Sequence, residues 1–211
     1  MDDPTVKQLD KAIKKWSRQN DKLVVAIDGY TGVGKTTLLN SLANLNKGVL
    51  PVNRDDFVLP RITVEHLLKQ AKDRSQVFEL QICDTKKIEK LINAFRKGER
   101  IFKTKVYDPV SGKVNVAKDF DLSKKVLVIE GVFMFHPKLL DHLWDKRVYI
   151  RGDIKDVDVR RVQREKAKWG QDYFPETHPD SYFRQVIIAL KRYQKLYKPE
   201  ASADLILNHE I

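Results

Sequence analysis

The sequence predicts an α/β fold with a mainly parallel central sheet. Short apolar runs, each about the length of one strand, alternate along the chain with segments of helical periodicity. A glycine-containing loop at residues 29–34 ends the first of these runs before a helix begins. The length of 211 residues fits a single domain, which we expect to span residues 1–211.

The first half of the chain begins with an amphipathic helix, predicted within residues 1–20. One face of this helix carries apolar side chains at helical spacing, namely Val6, Leu9, Ile13 and Trp16. The elements predicted after it are a buried strand at 23–27, a helix at 35–45, a strand at 49–53, and helices at 64–72 and 85–97. Gly98 provides the stop signal for the last of these helices.

The second half begins with a hairpin predicted at about 100–118, where two extended segments flank a turn with proline and glycine. The elements predicted beyond the hairpin are a strand at 126–129, a short helix at 136–143, a strand at 147–150, a basic helix at 153–168, a long helix at 181–197 and a last strand at 203–207. This alternation of strands and helices favours parallel strand pairing.

Composition narrows the class of protein. The longest apolar runs are strand-length and fall short of the roughly 20 residues of a membrane span. The N-terminus lacks the pattern of a signal peptide, and a single cysteine, Cys83, excludes an intrachain disulfide and a cysteine-rich zinc site. We therefore expect a soluble cytoplasmic protein without a membrane partner, while homo-oligomerisation stays open.

The net charge of +11 has two interpretations. A basic surface attracts the phosphate backbone of nucleic acids. Alternatively, the charge combines a binding site for a triphosphate with lysines on solvated helix faces. Basic residues are spread over the whole chain rather than concentrated in a tail.

Residues 29–36 match the P-loop pattern G-x-x-x-x-G-K-[ST], between a predicted strand and a predicted helix. Glycines allow such a loop to curl so that its backbone N–H groups point at phosphate oxygens, and the next helix adds its positive N-terminal end. Lys35 can then reach the β- and γ-phosphates, and the Thr36 hydroxyl can bind Mg²⁺. The predicted nucleotide-binding residues are Gly29, Thr31, Gly32, Val33, Gly34, Lys35, Thr36 and Thr37.

Two acidic residues follow predicted strands and should lie at the same edge of the sheet as the P-loop. Asp55 comes after the second strand, where it can accept the proton of an attacking hydroxyl. Glu130 comes after the strand at 126–129, where it can complete the shell of a magnesium ion. The alternatives are an Asx turn or helix cap for Asp55 and a loop carboxylate without a metal for Glu130.

The predicted helix at 160–168 is rich in arginine and lysine. Phosphoryl transfer requires positive charge over the transferred group, so this helix is a candidate lid. A solvated basic helix is the alternative. Arg160, Arg161 and Arg164 cannot all face one site.

Several separated motifs together resemble those of the uridine kinase and phosphoribulokinase family, which includes nicotinamide riboside kinases. The motifs are residues 29–37, 54–57, 106–108, 128–131, 160–165 and 203–206. The resemblance implies a P-loop NTPase fold with three αβα layers, a small helical lid at about 160–180 and an acceptor-side hairpin. It also implies ATP and Mg²⁺ as cofactors.

The same resemblance assigns roles to individual residues. Asp55 matches the family's general base, and Lys35 matches its phosphate-binding lysine. Thr36 and Glu130 match the residues that serve Mg²⁺. Arg161 and Arg164 match lid arginines of the family that bind substrate or phosphate. Tyr107 matches an aromatic residue that packs near the acceptor.

Two departures from the pattern of uridine and cytidine kinases leave the identity of the acceptor open. Uridine and cytidine kinases carry a histidine where this chain has Gly112, and their acidic ribose-binding segment is replaced by residues 78–81, in which Glu79 is the one carboxylate. The first hypothesis is an ATP-dependent kinase of a nucleoside hydroxyl. The second is a kinase of another small acceptor: a vitamin riboside, a sugar phosphate or pantothenate. The third is a nucleic-acid-binding ATPase.

Overall fold

The computed structural model describes residues 3–170, 173–178 and 181–208. In chain order its strands are β1 (Leu23–Gly29), β2 (Val49–Asn53), β3 (Ile101–Asp108), β4 (Lys113–Asp121), β5 (Val126–Glu130), β6 (Lys146–Arg151) and β7 (Leu205–Asn208). Five of them form a parallel sheet in the order β2-β5-β1-β6-β7, and β3 and β4 form a separate antiparallel hairpin.

The helices of the described residues are α1 (Pro4–Trp16), α2 (Lys35–Leu45), α3 (Arg61–Gln70), α4 (Arg74–Leu80), α5 (Thr85–Arg96), α6 (Ile154–Trp169) and α7 (Tyr182–Tyr197). None of them is long and apolar enough to cross a membrane. Asp3 caps α1 by accepting a hydrogen bond from the Thr5 backbone, and Asp153 caps α6 in the same way through Lys155.

Two cores, one on each face of the sheet, produce the predicted three layers. Every residue of β1 is buried, and its side chains alternate between the two cores. Leu23, Val25 and Ile27 join the core that contains α1, α2 and α7. Val24 and Ala26 join the core that contains α5 and the hairpin. The predicted α/β class with a parallel sheet is confirmed.

The hairpin is longer than predicted, because β4 continues to Asp121 instead of ending at about residue 118. Its far end is anchored in the second core: Phe120 is buried and stacks on Phe57, with 6.0 Å between the ring centroids. A register shift between Val106 and Tyr107 bends β3 close to its end. The hairpin therefore packs against the turn that follows β2.

The helix predicted at 136–143 is replaced by turns that end in a short 3₁₀-helix at Asp141–Leu143. The backbone hydrogen bonds of this segment span three residues instead of four (His136 N–H to Phe133, Leu139 N–H to His136 and Leu143 N–H to Leu140). The spacing of its apolar residues resembled that of a helix because these turns bury Leu140, Leu143 and Trp144 in the second core. Trp144 Nε1 donates to the Met134 carbonyl over 2.6 Å, which fixes the path of the turns.

Two boundaries and one element also differ. The helix predicted at 64–72 begins three residues earlier, at Arg61, and the last strand begins at Leu205 instead of residue 203. The sequence analysis missed α4, which has only seven residues and shows too little of a helical period. Asp73 nevertheless caps it, accepting from the Ser75 backbone over 2.9 Å. The division into one domain with a lid stays a prediction.

Candidate active site

Three parallel strands end at one edge of the sheet and carry the candidate residues there. In the register of the sheet, Glu130 of β5 lies beside both Ile27 of β1 and Asn53 of β2. The loop after β1, the turn after β2 and the end of β5 are therefore neighbours. This edge is the usual ligand-binding position of an open α/β sheet.

The loop after β1 is closely packed from two sides, and its glycines make this packing feasible. Gly32 has φ of 85°, and a Cβ there would lie 3.3 Å from Val157 and 3.5 Å from the Cβ of Arg161. A Cβ on Gly29 would lie 2.7 Å from the Ile150 carbonyl oxygen. Helix α6 and strand β6 thus support the loop, and α2 begins directly after it at Lys35.

Lys35 is buried at the mouth of this loop. Its Nζ atom donates to the carbonyl oxygens of Gly29 at 3.0 Å and Tyr30 at 2.9 Å. Burial lowers the pKa of Lys35, while the negative charges of Glu130, Asp28 and Asp55 act against this shift. The ammonium group is therefore held by two carbonyl oxygens, and three carboxylates are near enough to act on its charge.

Thr36 and Glu130 form the arrangement that could hold a metal ion. The Thr36 hydroxyl donates to Glu130 Oε1 over 2.7 Å. Burial raises the pKa of Glu130, and the nearby Lys35 charge opposes this shift. Both side chains offer the oxygen ligands that Mg²⁺ prefers, and Mg²⁺ commonly uses one or two protein ligands together with water and phosphates. The donor set fits Mg²⁺.

The two acidic residues after β2, Asp55 and Asp56, have different surroundings. Asp56 Oδ2 accepts from Lys118 Nζ of the hairpin over 2.7 Å. Asp55 is exposed, and among the described residues no side chain pairs with its carboxylate. Asn53 fixes the turn by accepting a hydrogen bond from the Asp55 backbone over 2.8 Å. Asp55 is thus the carboxylate that is open to a ligand.

The two predicted lid arginines occupy different environments. Arg161 is buried and bonded to Asp158 at 3.1 Å and Glu176 at 3.0 Å, so its charge is already compensated. The Arg164 side chain is 59% exposed and pairs with Glu165 at 3.3 Å, and its positive charge contributes to the lowering of the Lys35 pKa. Of the two arginines, Arg164 is therefore the one whose charge acts on Lys35. Arg160 bonds the Asp156 carbonyl of its own helix.

Tyr107 and Tyr182, a tyrosine that the sequence did not indicate, lie near Asp55. Tyr182, at the start of α7, packs edge to face on Phe78 with 4.6 Å between the centroids. Surrounding protein raises the pKa of the Tyr182 hydroxyl, and Asp55 and Tyr107 add to the shift, yet 54% of the residue is exposed. The exposed part of Tyr182 therefore borders open space within reach of Asp55 and Tyr107, and we call this space the cleft.

Comparison with known proteins assigns the family. A sequence model of the phosphoribulokinase/uridine kinase family matches residues 24–208. The chain belongs to this family. The resemblance inferred from the motifs is confirmed, and so is the assignment to the P-loop kinases.

Individual relatives are distant. The uridine kinase of Staphylococcus carnosus is 25% identical over 198 residues, which cover 89% of this chain and 91% of that protein. Mouse nicotinamide riboside kinase 1 is 24% identical over 143 residues, covering 68% of this chain and 67% of that protein. A solved structure of a possible uridine kinase from Bacillus stearothermophilus has a TM-score of 0.70 at 19% identity, with 96% and 97% of the two chains covered. At this identity the structural likeness concerns the fold.

Arg61 explains why this family member has glycine at position 112. Gly112 has φ of 70°, and a Cβ there would lie 2.8–2.9 Å from atoms of the Arg61 side chain. The Arg61 backbone donates to the Gly112 carbonyl, and its guanidinium donates to the Pro109 carbonyl over 3.1 Å. Arg61 thus occupies the space of any larger residue at this turn.

Glu79, considered as a ribose ligand, is committed elsewhere. It is buried, lies 3.4 Å from His136 Nε2 and accepts from Arg192 Nε over 2.7 Å. Arg192 also bonds Asp73 and Ser75, so a single cluster joins α4 to α7. The Glu79 carboxylate therefore connects two helices and does not face a ligand.

Asp28 supports the P-loop through a hydrogen bond to its first residue, a role that was not predicted from the sequence. It is fully buried, accepts from the Gly29 backbone over 2.6 Å and from the Tyr193 hydroxyl over 2.6 Å, and burial raises its pKa. A carboxylate at the end of an apolar strand was the available signal. Its partner lies in α7, and no sequence pattern connects the two.

Proposed function

We propose that this chain transfers the γ-phosphoryl group of ATP to a hydroxyl group of a small acceptor that binds beside Asp55. The difference between the surroundings of Asp55 and those of Asp56 supports this proposal. Asp56 is neutralised by Lys118, whereas Asp55 is exposed and unpaired among the described residues, on the same edge as Lys35 and Glu130. A general base needs such access to the proton it removes.

In the proposed reaction Asp55 accepts the proton of the acceptor hydroxyl. The acceptor oxygen forms a bond to the γ-phosphorus as the bond between this phosphorus and the β–γ bridging oxygen breaks, and ADP leaves. Lys35 and the backbone N–H groups of loop 29–34 bind the β- and γ-phosphates. Arg164 supplies positive charge from the lid.

Thr36 and Glu130 are the residues that would hold Mg²⁺, which neutralises phosphate charge when it is bound. The loop N–H groups, Lys35 and this pair of oxygen ligands support ATP with Mg²⁺ as the donor. Closure of α6 over the loop would exclude water from the reacting groups.

Relatives support a nucleoside as the acceptor, since they include uridine kinases and nicotinamide riboside kinases. Two features of this chain favour the second candidate, an acceptor of another class. Glu79 is engaged with Arg192 and His136, and Arg61 fills the space above Gly112. An ADP-release assay across a panel of acceptors tests this choice. Release stimulated by RNA, without a response to any small acceptor, would instead support a nucleic-acid-binding ATPase.

The exchange Asp55→Asn tests the proposed base. It removes the proton acceptor with little change in shape, so we expect kcat to fall by roughly 10²–10⁴-fold while the affinity for ATP changes little. Asp56→Asn is the matched control, because it changes the neighbouring carboxylate that is already paired with Lys118; it should retain most of the activity. Turnover near that of the wild type in Asp55→Asn would refute the role of Asp55.

A further inference from the structure

Arg54, the residue before the proposed base, is a buried cation that has no partner for its guanidinium group among the described residues. It is 3% exposed. Its backbone carbonyl accepts a weak bond from Cys83 Sγ at 3.9 Å, but its guanidinium group makes no hydrogen bond or ion pair within the described part of the chain. Buried charges are almost always paired, because desolvation of an unpaired charge is costly. Arg54 is an exception that requires a reason.

The nearby carboxylates do not compensate this charge. Asp55 is the next residue, yet its carboxylate forms no ion pair with Arg54. Asp56 pairs with Lys118, and Asp84 caps α5 by accepting from the Lys87 backbone over 2.9 Å. The five N–H donors of the Arg54 guanidinium group therefore make no hydrogen bond to the described residues.

The Arg54 side chain packs over Gly131, directly after the end of β5. A Cβ on Gly131 would lie 2.7 Å from its Cβ and 2.8 Å from its Cδ, so glycine is required there. No fully buried side-chain nitrogen or oxygen of the described residues lacks a partner. The guanidinium nitrogens, which have none, must therefore keep contact with solvent.

The groups on which the Arg54 charge acts show where the guanidinium group meets solvent. It acts to lower the pKa values of Tyr182 and Cys83, both of which burial raises. Tyr182 lines the cleft beside Asp55 and Tyr107. Arg164, by contrast, acts on Lys35. Residues 54–57 also contact β3 of the hairpin, so Arg54 lies on the hairpin side of the site, where the acceptor is proposed to bind.

We propose that Arg54 binds a carboxylate or phosphate group of the acceptor, and that the acceptor is consequently a hydroxy acid or a sugar phosphate. This inference rests on the proposed kinase function and selects among its acceptors. A planar guanidinium binds either anion through two parallel hydrogen bonds, and such a pair compensates the buried charge. An uncharged nucleoside would leave Arg54 unpaired, and a cationic ring would be repelled.

Matched acceptor pairs test the inference by activity. Each pair differs in one anionic group: D-glycerate and glycerol, ribose 5-phosphate and ribose, pantothenate and pantothenyl alcohol, with uridine added as an uncharged nucleoside. We expect an acidic member to exceed its uncharged counterpart in kcat/KM by roughly 10²–10⁴-fold, because the uncharged analogue leaves a buried group unpaired. The hydroxy acids and the sugar phosphates distinguish the two kinds of anion. If the best acceptor is uncharged, the inference is wrong and the kinase function stands.

A binding experiment decides the question even if no acceptor in the panel is phosphorylated. The P-loop is first saturated with a non-hydrolysable ATP analogue and Mg²⁺, and acetate or inorganic phosphate is then titrated as the probe. We expect the wild type and Asp55→Asn to bind at least one probe, and Arg54→Met to bind it at least about 10-fold more weakly, since it lacks the charge-assisted hydrogen bonds. Equal binding by Arg54→Met and the wild type, or no binding of either probe, would overturn the inference.

Thermal unfolding separates this role from a structural one. Met fills much of the volume of Arg without its charge, so Arg54→Met should raise the melting temperature of the ligand-free protein by about 2–4 °C. The anionic probe should stabilise the wild type and leave Arg54→Met unchanged. A lower melting temperature for ligand-free Arg54→Met would show that Arg54 holds the fold together, contrary to the inference.

Discussion

At the scale of single residues, three consecutive charges after β2 have three different environments. Arg54 is buried and unpaired among the described residues, Asp55 is exposed, and Asp56 is paired with Lys118. The sequence indicated Asp55 because an acid after a parallel strand lies near the P-loop. It could not indicate the burial of Arg54, which depends on the absence of a side chain at the distant Gly131.

Cys83 provides a residue-scale prediction about pH. Burial raises the pKa of its thiol from 9.0 to about 11. The thiolate is the reactive form, so alkylation of the native protein near pH 8 should be about 100-fold slower than that of the unfolded chain. The single cysteine makes the measurement direct: a thiol reagent is added with and without denaturant.

The same shift has a consequence for stability. Because the pKa of Cys83 is higher in the folded state, its contribution is complete below the unfolded value of 9.0 and is lost as the pH rises toward about 11. Denaturant unfolding of the wild type and Cys83→Ala across this range should show a smaller alkaline loss in the variant. In the alkylation experiment, equal rates for the native and the denatured protein would contradict the buried position of the Cys83 thiol.

At the scale of elements, the sequence predicted the structure correctly where one segment contains its own signal. The apolar strands, the amphipathic α1 and the capped α6 are of this kind. It failed at α4 and at residues 136–143, where neighbouring segments decide the conformation. α4 is short and is held by the Glu79–Arg192 contact to α7, and the turns at 136–143 are fixed by burial of Trp144.

The contact between α4 and α7 leads to a prediction about stability. Arg192→Met leaves the buried Glu79 without its main partner, and the unfolding free energy should fall by about 3 kcal/mol, the lower end of the range for broken buried pairs. The value is low in that range because the Arg192 side chain is 26% exposed. Urea denaturation measures the loss.

The double variant Glu79→Gln/Arg192→Met is the control for this contact. Removal of both charges should recover a large part of the loss, because no buried charge then remains unpaired. If the double variant is as unstable as the sum of both single variants, the two side chains are not coupled. His136, which also faces Glu79, stays in place in all variants.

At the scale of the whole molecule, the order of strands, helices and motifs was sufficient to predict the class of fold and the family. Parallel pairing places the ends of β1, β2 and β5 at one edge, so residues far apart in sequence could be assigned to one site. The support beneath that site could not be predicted. Asp28 with Tyr193, and Arg161 with Glu176, are pairs formed by tertiary packing.

The kinase assignment depends on whether loop 29–34, with Lys35 and Thr36, binds a magnesium-bound triphosphate beside Asp55. Calorimetric titration of a non-hydrolysable ATP analogue into the wild type and Lys35→Ala, with and without Mg²⁺, tests this directly. We expect Mg²⁺-dependent binding by the wild type and affinity reduced about 10–100-fold in Lys35→Ala, the loss of one charge-assisted phosphate contact. A folded wild type without affinity for any Mg-nucleotide, or equal binding by Lys35→Ala, would contradict the assignment.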